Sequence, residues 1–119
     1  MSGKASVPKG LASAGAVLWR EVSGKYELRA DELRVLEDAC READLVDDLT
    51  AALVGADRIV KGSQGQPVIN PLISEVRQHR TALAGLLRQL KLPDESDTPE
   101  KRSAAARAAV NARWQKRGA

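Results

Sequence analysis

The sequence predicts a mainly α-helical fold: a hairpin of two long helices, with a short helix before it, a small β-hairpin between the two long helices and a basic helix at the end. Apolar residues recur at spacings of three and four along two long segments, which is the helical period. The 119 residues include no Phe, one Tyr and two Trp, so the core must come from Leu, Val, Ile and Ala. A core of this kind is thin, and oligomerisation is one common way to stabilise it. We therefore expect the helical subunits to form an oligomer.

The chain begins with a segment that has no helical pattern. Residues 1–13 mix Gly, Ser, Pro and Lys without periodicity, which predicts a flexible N-terminal arm. A short helix is predicted over about 15–23, with Trp19 on its apolar face and Gly24 as its stop. Residues 14–93 are then predicted to form a helical assembly core.

The second helix is predicted over about 31–53. Its apolar positions recur at the amphipathic helical period. Its other faces carry eight carboxylates against only Arg34 and Arg41. The carboxylates are Asp31, Glu32, Glu37, Asp38, Glu42, Asp44, Asp47 and Asp48.

A change of pattern near 58–69 predicts the β-hairpin. Residues 59–61 and 67–69 are two short segments that flank the sequence Gly-Ser-Gln-Gly-Gln. Because an isolated two-stranded hairpin is marginally stable, we expect this one to pack on the helices or on a neighbouring subunit.

The third helix is predicted to begin at Asn70-Pro71, an N-cap residue followed by Pro at the first helical position, and to end near Lys91. Its apolar face includes His79 and most of the leucines. Four cations form a stripe along one flank of that face: Arg77, Arg80, Arg88 and Lys91. An acidic helix and a helix with a basic flank suit an antiparallel pair, or an acidic face that meets a neighbouring subunit's basic one.

The basic residues concentrate at the two ends of the chain. Residues 94–98 form an acidic linker, and residues 99–119, the basic C-terminal segment, carry six cations against one carboxylate. A helix is predicted there because Thr98-Pro99 repeats the start signal and alanine has high helix propensity. Clustered cations on a rod suit the phosphates of DNA, although a solvated tail or an acidic protein partner are alternatives. The candidate DNA-binding residues are Lys101, Arg102, Arg107, Arg113, Lys116, Arg117, Lys4, Lys9, Arg77, Arg80, Arg88 and Lys91.

No pattern in the sequence indicates catalysis, a metal site or a cofactor. One Cys and one His leave no disulfide within the chain and no Cys or His cluster for zinc. Gly62-Ser63-Gln64-Gly65 lacks the Lys-Ser/Thr of a phosphate-binding loop. Cys40 and His79 are predicted on apolar helix faces, where a buried thiol and a hydrogen-bonded His are expected.

The 11–18 segment is too short to span a membrane. We expect a cytoplasmic protein that is not an enzyme.

Several motifs resemble the small terminase subunit of long-tailed bacteriophages, over about residues 17–93. The most specific stretch is Gly-Ser-Gln-Gly-Gln-Pro-Val-Ile-Asn-Pro-Leu at 62–72, continuing through Glu75 and Arg77. Where the family often has Asp-Pro, this chain has Arg29-Ala30, so the second helix is expected to begin later, with Asp31 as its cap. The remaining motifs are Leu18-Trp19-x-Glu21, Tyr26-x-Leu28, Glu32-Leu33, Leu36-Glu37-x-Ala39-Cys40, Asp44-x-x-Asp47-x-Leu49, Ala82-Leu83, Leu86-Leu87, Leu90 and Leu92-Pro93.

The resemblance implies a function that periodicity does not reveal. Small terminase subunits are non-catalytic, assemble into closed rings, bind double-stranded viral DNA at the packaging-initiation site and deliver it to the large terminase subunit, which holds the ATPase and nuclease. It implies action in the host cytoplasm, with no membrane partner. Two alternatives remain at this stage: a bacterial nucleoid-type or regulatory DNA-binding protein, and a helical adaptor that binds only protein.

Overall fold

The computed structural model describes residues 5–93. Within that range the protein is mainly helical, with one small two-stranded antiparallel sheet, which confirms the predicted helical class. The acidic linker 94–98 and the helix predicted in 99–119 lie outside the described residues. The elements in chain order are α1 (Ser13–Lys25), α2 (Ala30–Leu53), β1 (Ile59–Lys61), β2 (Pro67–Ile69) and α3 (Pro71–Leu90).

Two helix boundaries differ from the prediction. α1 continues through Gly24 to Lys25 and ends where Tyr26 takes an extended backbone, so the prediction that Gly24 stops the helix was wrong. α2 begins at Ala30 rather than after Asp31, with Arg29 at the N-cap position. The Glu32 carboxylate accepts a hydrogen bond from the Arg29 backbone N–H at 2.8 Å and so closes the first turn without a capping side chain at Arg29 or Asp31.

The β-hairpin is joined firmly to the start of α3. In its antiparallel register, Ile59 pairs with Ile69 and Val60 with Val68. Asn70 then connects three segments. Its backbone N–H donates to the Arg58 carbonyl at 2.6 Å, its side-chain amide donates to the Asp57 carbonyl, and its Oδ1 accepts from the first turn of α3 at 3.0 Å. The predicted N-cap is therefore confirmed, and it also fixes the hairpin to the helix.

The apolar core lies at one end of the α2–α3 pair. α2 packs against both α1 and α3. The core cluster is formed by Trp19, Val22, Tyr26, Leu36, Cys40 and Leu90. These residues bring together α1, the N-terminal half of α2 and the C-terminal end of α3. Towards the hairpin, Val76 is the one apolar residue that is buried between residues 44 and 86, so that end of the molecule has little core of its own.

α1 and the segment before it dock on α2 through polar contacts. The Asp44 carboxylate accepts the Ala12 and Gly15 backbone N–H groups, each at 2.7 Å, and thereby caps the N-terminus of α1 from a different helix. The Ala5 carbonyl accepts the indole N–H of Trp19 at 3.2 Å. Residues 5–12, assigned from sequence to a flexible arm, thus contact the helices in this structure.

Candidate interaction surfaces

The predicted DNA-binding cations of the described residues fall into separate places. Arg77 and Arg80 lie in the first half of α3, and Arg88 and Lys91 lie at its C-terminal end, with all four side chains exposed. Eight residues separate Arg80 from Arg88, which is about 12 Å along a helix. Lys9 lies on the segment before α1 and is also exposed. The remaining candidates, Lys4 and the six cations of the basic C-terminal segment, lie outside the described residues.

Arg77 and Arg80 line a groove at the hairpin end of the molecule. Its rim also includes Arg58, which the sequence interpretation did not select. The groove has a volume of about 580 Å³, within the range of about 300–1,000 Å³ typical of ligand-binding clefts. We call this surface the basic groove. Its apolar lining is formed by Leu53, Ile59, Ile69, Ile73 and Val76.

The isoleucines of the hairpin are unusually exposed for their type. Ile59 and Ile69 are cross-strand partners and retain 54% and 65% of their accessible surface. Alternate residues of a strand point to opposite faces, so the two isoleucines share one face and the partly buried Val60 and Val68 share the other. The alternation was readable from the sequence. Which face the body would cover depends on how the hairpin docks, and the sequence does not specify that.

The cations of the basic groove have no acidic partner among residues 5–93. No carboxylate in that range lies within ion-pair distance of Arg58, Arg77 or Arg80. In contrast, the cations of α2 are paired along their own helix. Arg41 is 2.6 Å from Glu37, and Arg34 also contacts carboxylates one turn away. Within residues 5–93, the basic groove is therefore an apolar surface whose positive rim has no paired carboxylate.

A second groove lies between the same two helices. Its two carboxylates already have partners, since Arg34 lies 3.1 Å from Asp38 and His79 lies 2.6 Å from Glu42. Its charged lining residues are Asp38, Arg41 and Glu42, and its apolar ones include Leu45 and Leu86. Leu45 is 40% exposed. We call this surface the acidic groove. Its remaining lining residues are Ala82, Gly85 and Gln89.

The two grooves open on opposite sides of the α2–α3 pair. On α3, Arg80 lines the basic groove and Gln89 the acidic one. On α2, Thr50 lines the basic groove and Arg41 the acidic one. In each helix the two residues are nine positions apart, which is about two and a half turns, so they stand on opposite sides of the helix axis.

His79 links α2 to α3 beside the acidic groove. Its Nδ1 lies 2.6 Å from a carboxylate oxygen of Glu42, and its Nε2 lies 3.6 Å from Glu75. The hydrogen bond to Glu42, assisted by the negative charge of both carboxylates, raises the pKa of His79 above its usual value. His79 is hydrogen-bonded as predicted, but with 27% of its side chain exposed it lies outside the core, where it joins two helices.

Cys40 is fully buried in the core cluster. Burial, with smaller contributions from the nearby carboxylates Asp44 and Glu37, raises the pKa of the Cys40 thiol to about 12. The predicted buried thiol is confirmed. Because the thiolate is the reactive form, this environment suits a packing role rather than a nucleophile.

The remaining chemistry of the described residues is sparse. Residues 5–93 contain no group of three or more His, Cys, Asp or Glu side chains arranged to hold a metal ion. None of the helices in this range is both long enough and apolar enough to cross a membrane. Comparison with protein-family models, with curated proteins and with solved structures finds no match.

Proposed function

We propose that this chain is the DNA-recognition subunit of a bacteriophage packaging terminase. In this role it assembles into a closed ring, binds double-stranded viral DNA at the packaging-initiation site and delivers it to the large terminase subunit in the host cytoplasm. The observation that carries the proposal is the division of charge along the chain. Residues 99–119 carry six cations against one carboxylate, whereas residues 14–92 carry 11 cations against 12 carboxylates.

This division of charge favours DNA as the partner of the basic C-terminal segment. Lysine and arginine side chains that neutralise phosphates release condensed counterions, and this release drives binding that is largely independent of sequence. A near-neutral body would contribute little to such binding. The body is therefore the part suited to assembly, and the segment is the part suited to DNA.

The resemblance to small terminase subunits supplies the rest of the proposal. The motifs that carry it lie within residues 17–93, which include the hairpin and the start of α3. Ring closure requires two different surfaces on each subunit, because a head-to-tail contact repeated by rotation uses unlike faces. Two different grooves on opposite sides of the α2–α3 pair are compatible with such a contact. Delivery of DNA to the large subunit is implied by the resemblance alone.

The proposal is tested by neutralising the basic C-terminal segment in the full-length protein. Replacing Arg102, Arg113, Lys116 and Arg117 together by Gln is expected to weaken binding to double-stranded DNA and to leave the mass of the oligomer unchanged. If each segment neutralises three phosphates, log K falls against log salt with a slope of about −2.7 per segment, from about −0.9 per contact. The variant should flatten this slope.

The matched control neutralises two exposed cations of the body. Arg88→Gln with Lys91→Gln changes the charge at the C-terminal end of α3 without changing residues 99–119. Affinity is measured by fluorescence anisotropy over about 50–200 mM salt. Retention of wild-type affinity and slope by the four-residue variant would refute the assignment of DNA binding to the segment. Loss of both in the Arg88/Lys91 control would transfer that role to α3.

A further inference from the structure

The hairpin end of the molecule has an apolar surface that the chain's described residues leave uncovered. The core cluster lies at the opposite end, and Ile59 and Ile69 keep more than half of their surface exposed. Contiguous exposed apolar surface with a polar rim is typical of a binding site for another protein. DNA phosphates would pair with Arg77 and Arg80, but they would leave the isoleucines in water.

The charge of the rim selects among possible occupants. Arg58, Arg77 and Arg80 have no carboxylate partner within residues 5–93, so a bound surface should be acidic as well as partly apolar. The chain's own basic C-terminal segment, residues 99–119, would be repelled by this rim. The side of α2 that lines the acidic groove offers both properties, through the exposed Leu45 and, one turn further along, the exposed carboxylate of Asp48.

The acidic groove presents an apolar side chain between carboxylates. Leu45 is 40% exposed, and Asp38 is on the groove wall. Asp48 follows Arg41 by seven residues, or about two turns, and so extends the same side of α2 towards the hairpin. It is exposed and makes no ion pair with the described residues. Asp38 is paired with Arg34, and Glu42 with His79. Asp48 therefore supplies the unpaired negative charge on this side of α2, and Leu45 supplies its exposed apolar surface.

The arrangement of the two grooves also selects the symmetry of the contact. A two-fold contact through the basic groove would place three arginines of one copy against the same three of another. Like charges across an interface are strongly disfavoured. A head-to-tail contact instead joins unlike surfaces and leaves one free groove at each end for the next copy.

We infer that the basic groove of one copy binds the acidic groove of a second copy head-to-tail, with Leu45 against the hairpin isoleucines and Asp48 near Arg77 and Arg80. This inference rests on the assembly that forms part of the proposed function, and it names the two surfaces involved. Both surfaces are defined by residues between Asp38 and Gln89. Assembly and DNA affinity can therefore be measured separately.

Charge reversal on each surface tests the contact in the full-length protein. Arg77→Glu with Arg80→Glu reverses the basic groove, and Asp38→Lys with Asp48→Lys reverses the acidic side. Each variant alone then carries two surfaces of like charge, and self-association should weaken by at least about 100-fold. Mixed in equal amounts, the two variants are complementary at every contact, so the oligomer should form again with alternating copies.

The measurements are sedimentation velocity over a range of concentrations and native mass spectrometry, with circular dichroism to confirm that each variant folds. The control Arg88→Glu with Lys91→Glu reverses two cations elsewhere on α3 and should assemble like the wild type. Dissociation of both reversal variants and recovery in the mixture support the inference.

Three outcomes would overturn the inference. The first is wild-type assembly by either reversal variant, with its DNA affinity unchanged. The second is wild-type assembly by the variant Arg77→Glu with Arg80→Glu, accompanied by reduced DNA affinity, which would assign the basic groove to nucleic acid. The third is a wild-type protein that is monomeric at micromolar concentration. In that case DNA binding by the basic C-terminal segment, measured by anisotropy, would still be judged on its own result.

Discussion

The close contact between α1 and α2 predicts opposite effects for the same substitution at two glycines of α1. A Cβ atom at Gly15 would lie 2.6 Å from the Asp44 carboxylate and 2.7 Å from the backbone carbonyl of Cys40. A Cβ atom at Gly24 would have no neighbour within 4 Å. Gly15→Ala should therefore destabilise the protein, and Gly24→Ala should stabilise it.

The magnitude follows from two opposing terms. Replacing Gly by Ala inside a helix gains up to about 1 kcal/mol of helix propensity. Overpacking costs about 1–3 kcal/mol, and at Gly15 it cannot be relieved by a side-chain rotation because one of the two close atoms is backbone. The Asp44 carboxylate is also held in place by its hydrogen bonds to the N-terminus of α1. Because the propensity gain is common to both sites, the two variants should differ by about 1–3 kcal/mol.

Urea unfolding of the two variants and the wild type, at one protein concentration, measures this difference. A fixed concentration is required because assembly contributes to apparent stability. If Gly15→Ala is as stable as Gly24→Ala, the two helices do not approach each other as closely as described, and the packing of α1 would need revision.

Two further predictions concern the polar contacts between helices. Asp44→Ala should cost about 1–3 kcal/mol of unfolding free energy, because two N–H groups of α1 lose a charged acceptor. Asp47 is an exposed residue of the same helix, and Asp47→Ala should change the unfolding free energy by less than about 0.5 kcal/mol. Equal urea midpoints for the two variants would contradict this prediction. Since the pKa of His79 is raised by folding, the stability gained from the protonated side chain is complete below its unfolded pKa of about 6.5 and is lost as pH rises through the folded value. The stability advantage of the wild type over His79→Gln should therefore shrink as pH rises from below about 6.5 through the folded pKa, and an advantage that stays constant would contradict the role assigned to the Glu42 contact.

The sequence predicted correctly those elements whose start and end signals lie in the local sequence. α3 begins at Pro71 as predicted because Asn70 is a local N-cap followed by Pro. The hairpin strands also match the prediction, because Gly62 follows the first strand, Pro67 begins the second and Asn70-Pro71 ends it. At Gly24 the local rule failed. A glycine stops a helix by adopting positive φ at the C′ position, and here the helix ends one residue later, when Tyr26 enters the core.

The features that sequence reasoning missed depend on contacts between distant residues. α1 has no capping side chain in its own sequence, because its acceptor is Asp44, about 30 residues away. Arg58 was not selected because no periodic pattern includes it, and only the docking of the hairpin brings it beside Arg77. The cations of α3, which form one stripe on a helical projection, belong to different surroundings once α2 and the hairpin are in place.

The capping of α1 by Asp44 has a consequence for the order in which the protein forms and opens. A 13-residue helix without a cap of its own is marginal in isolation, so α1 depends on an α2 that has already folded. Loss of the Asp44 contacts would release the N-terminus of α1 from α2, which makes α1 a unit that can open on its own before the rest of the body. Detachment would uncover Cys40, which is otherwise fully buried. The rate at which a thiol reagent modifies this one cysteine would therefore measure how often α1 leaves the body.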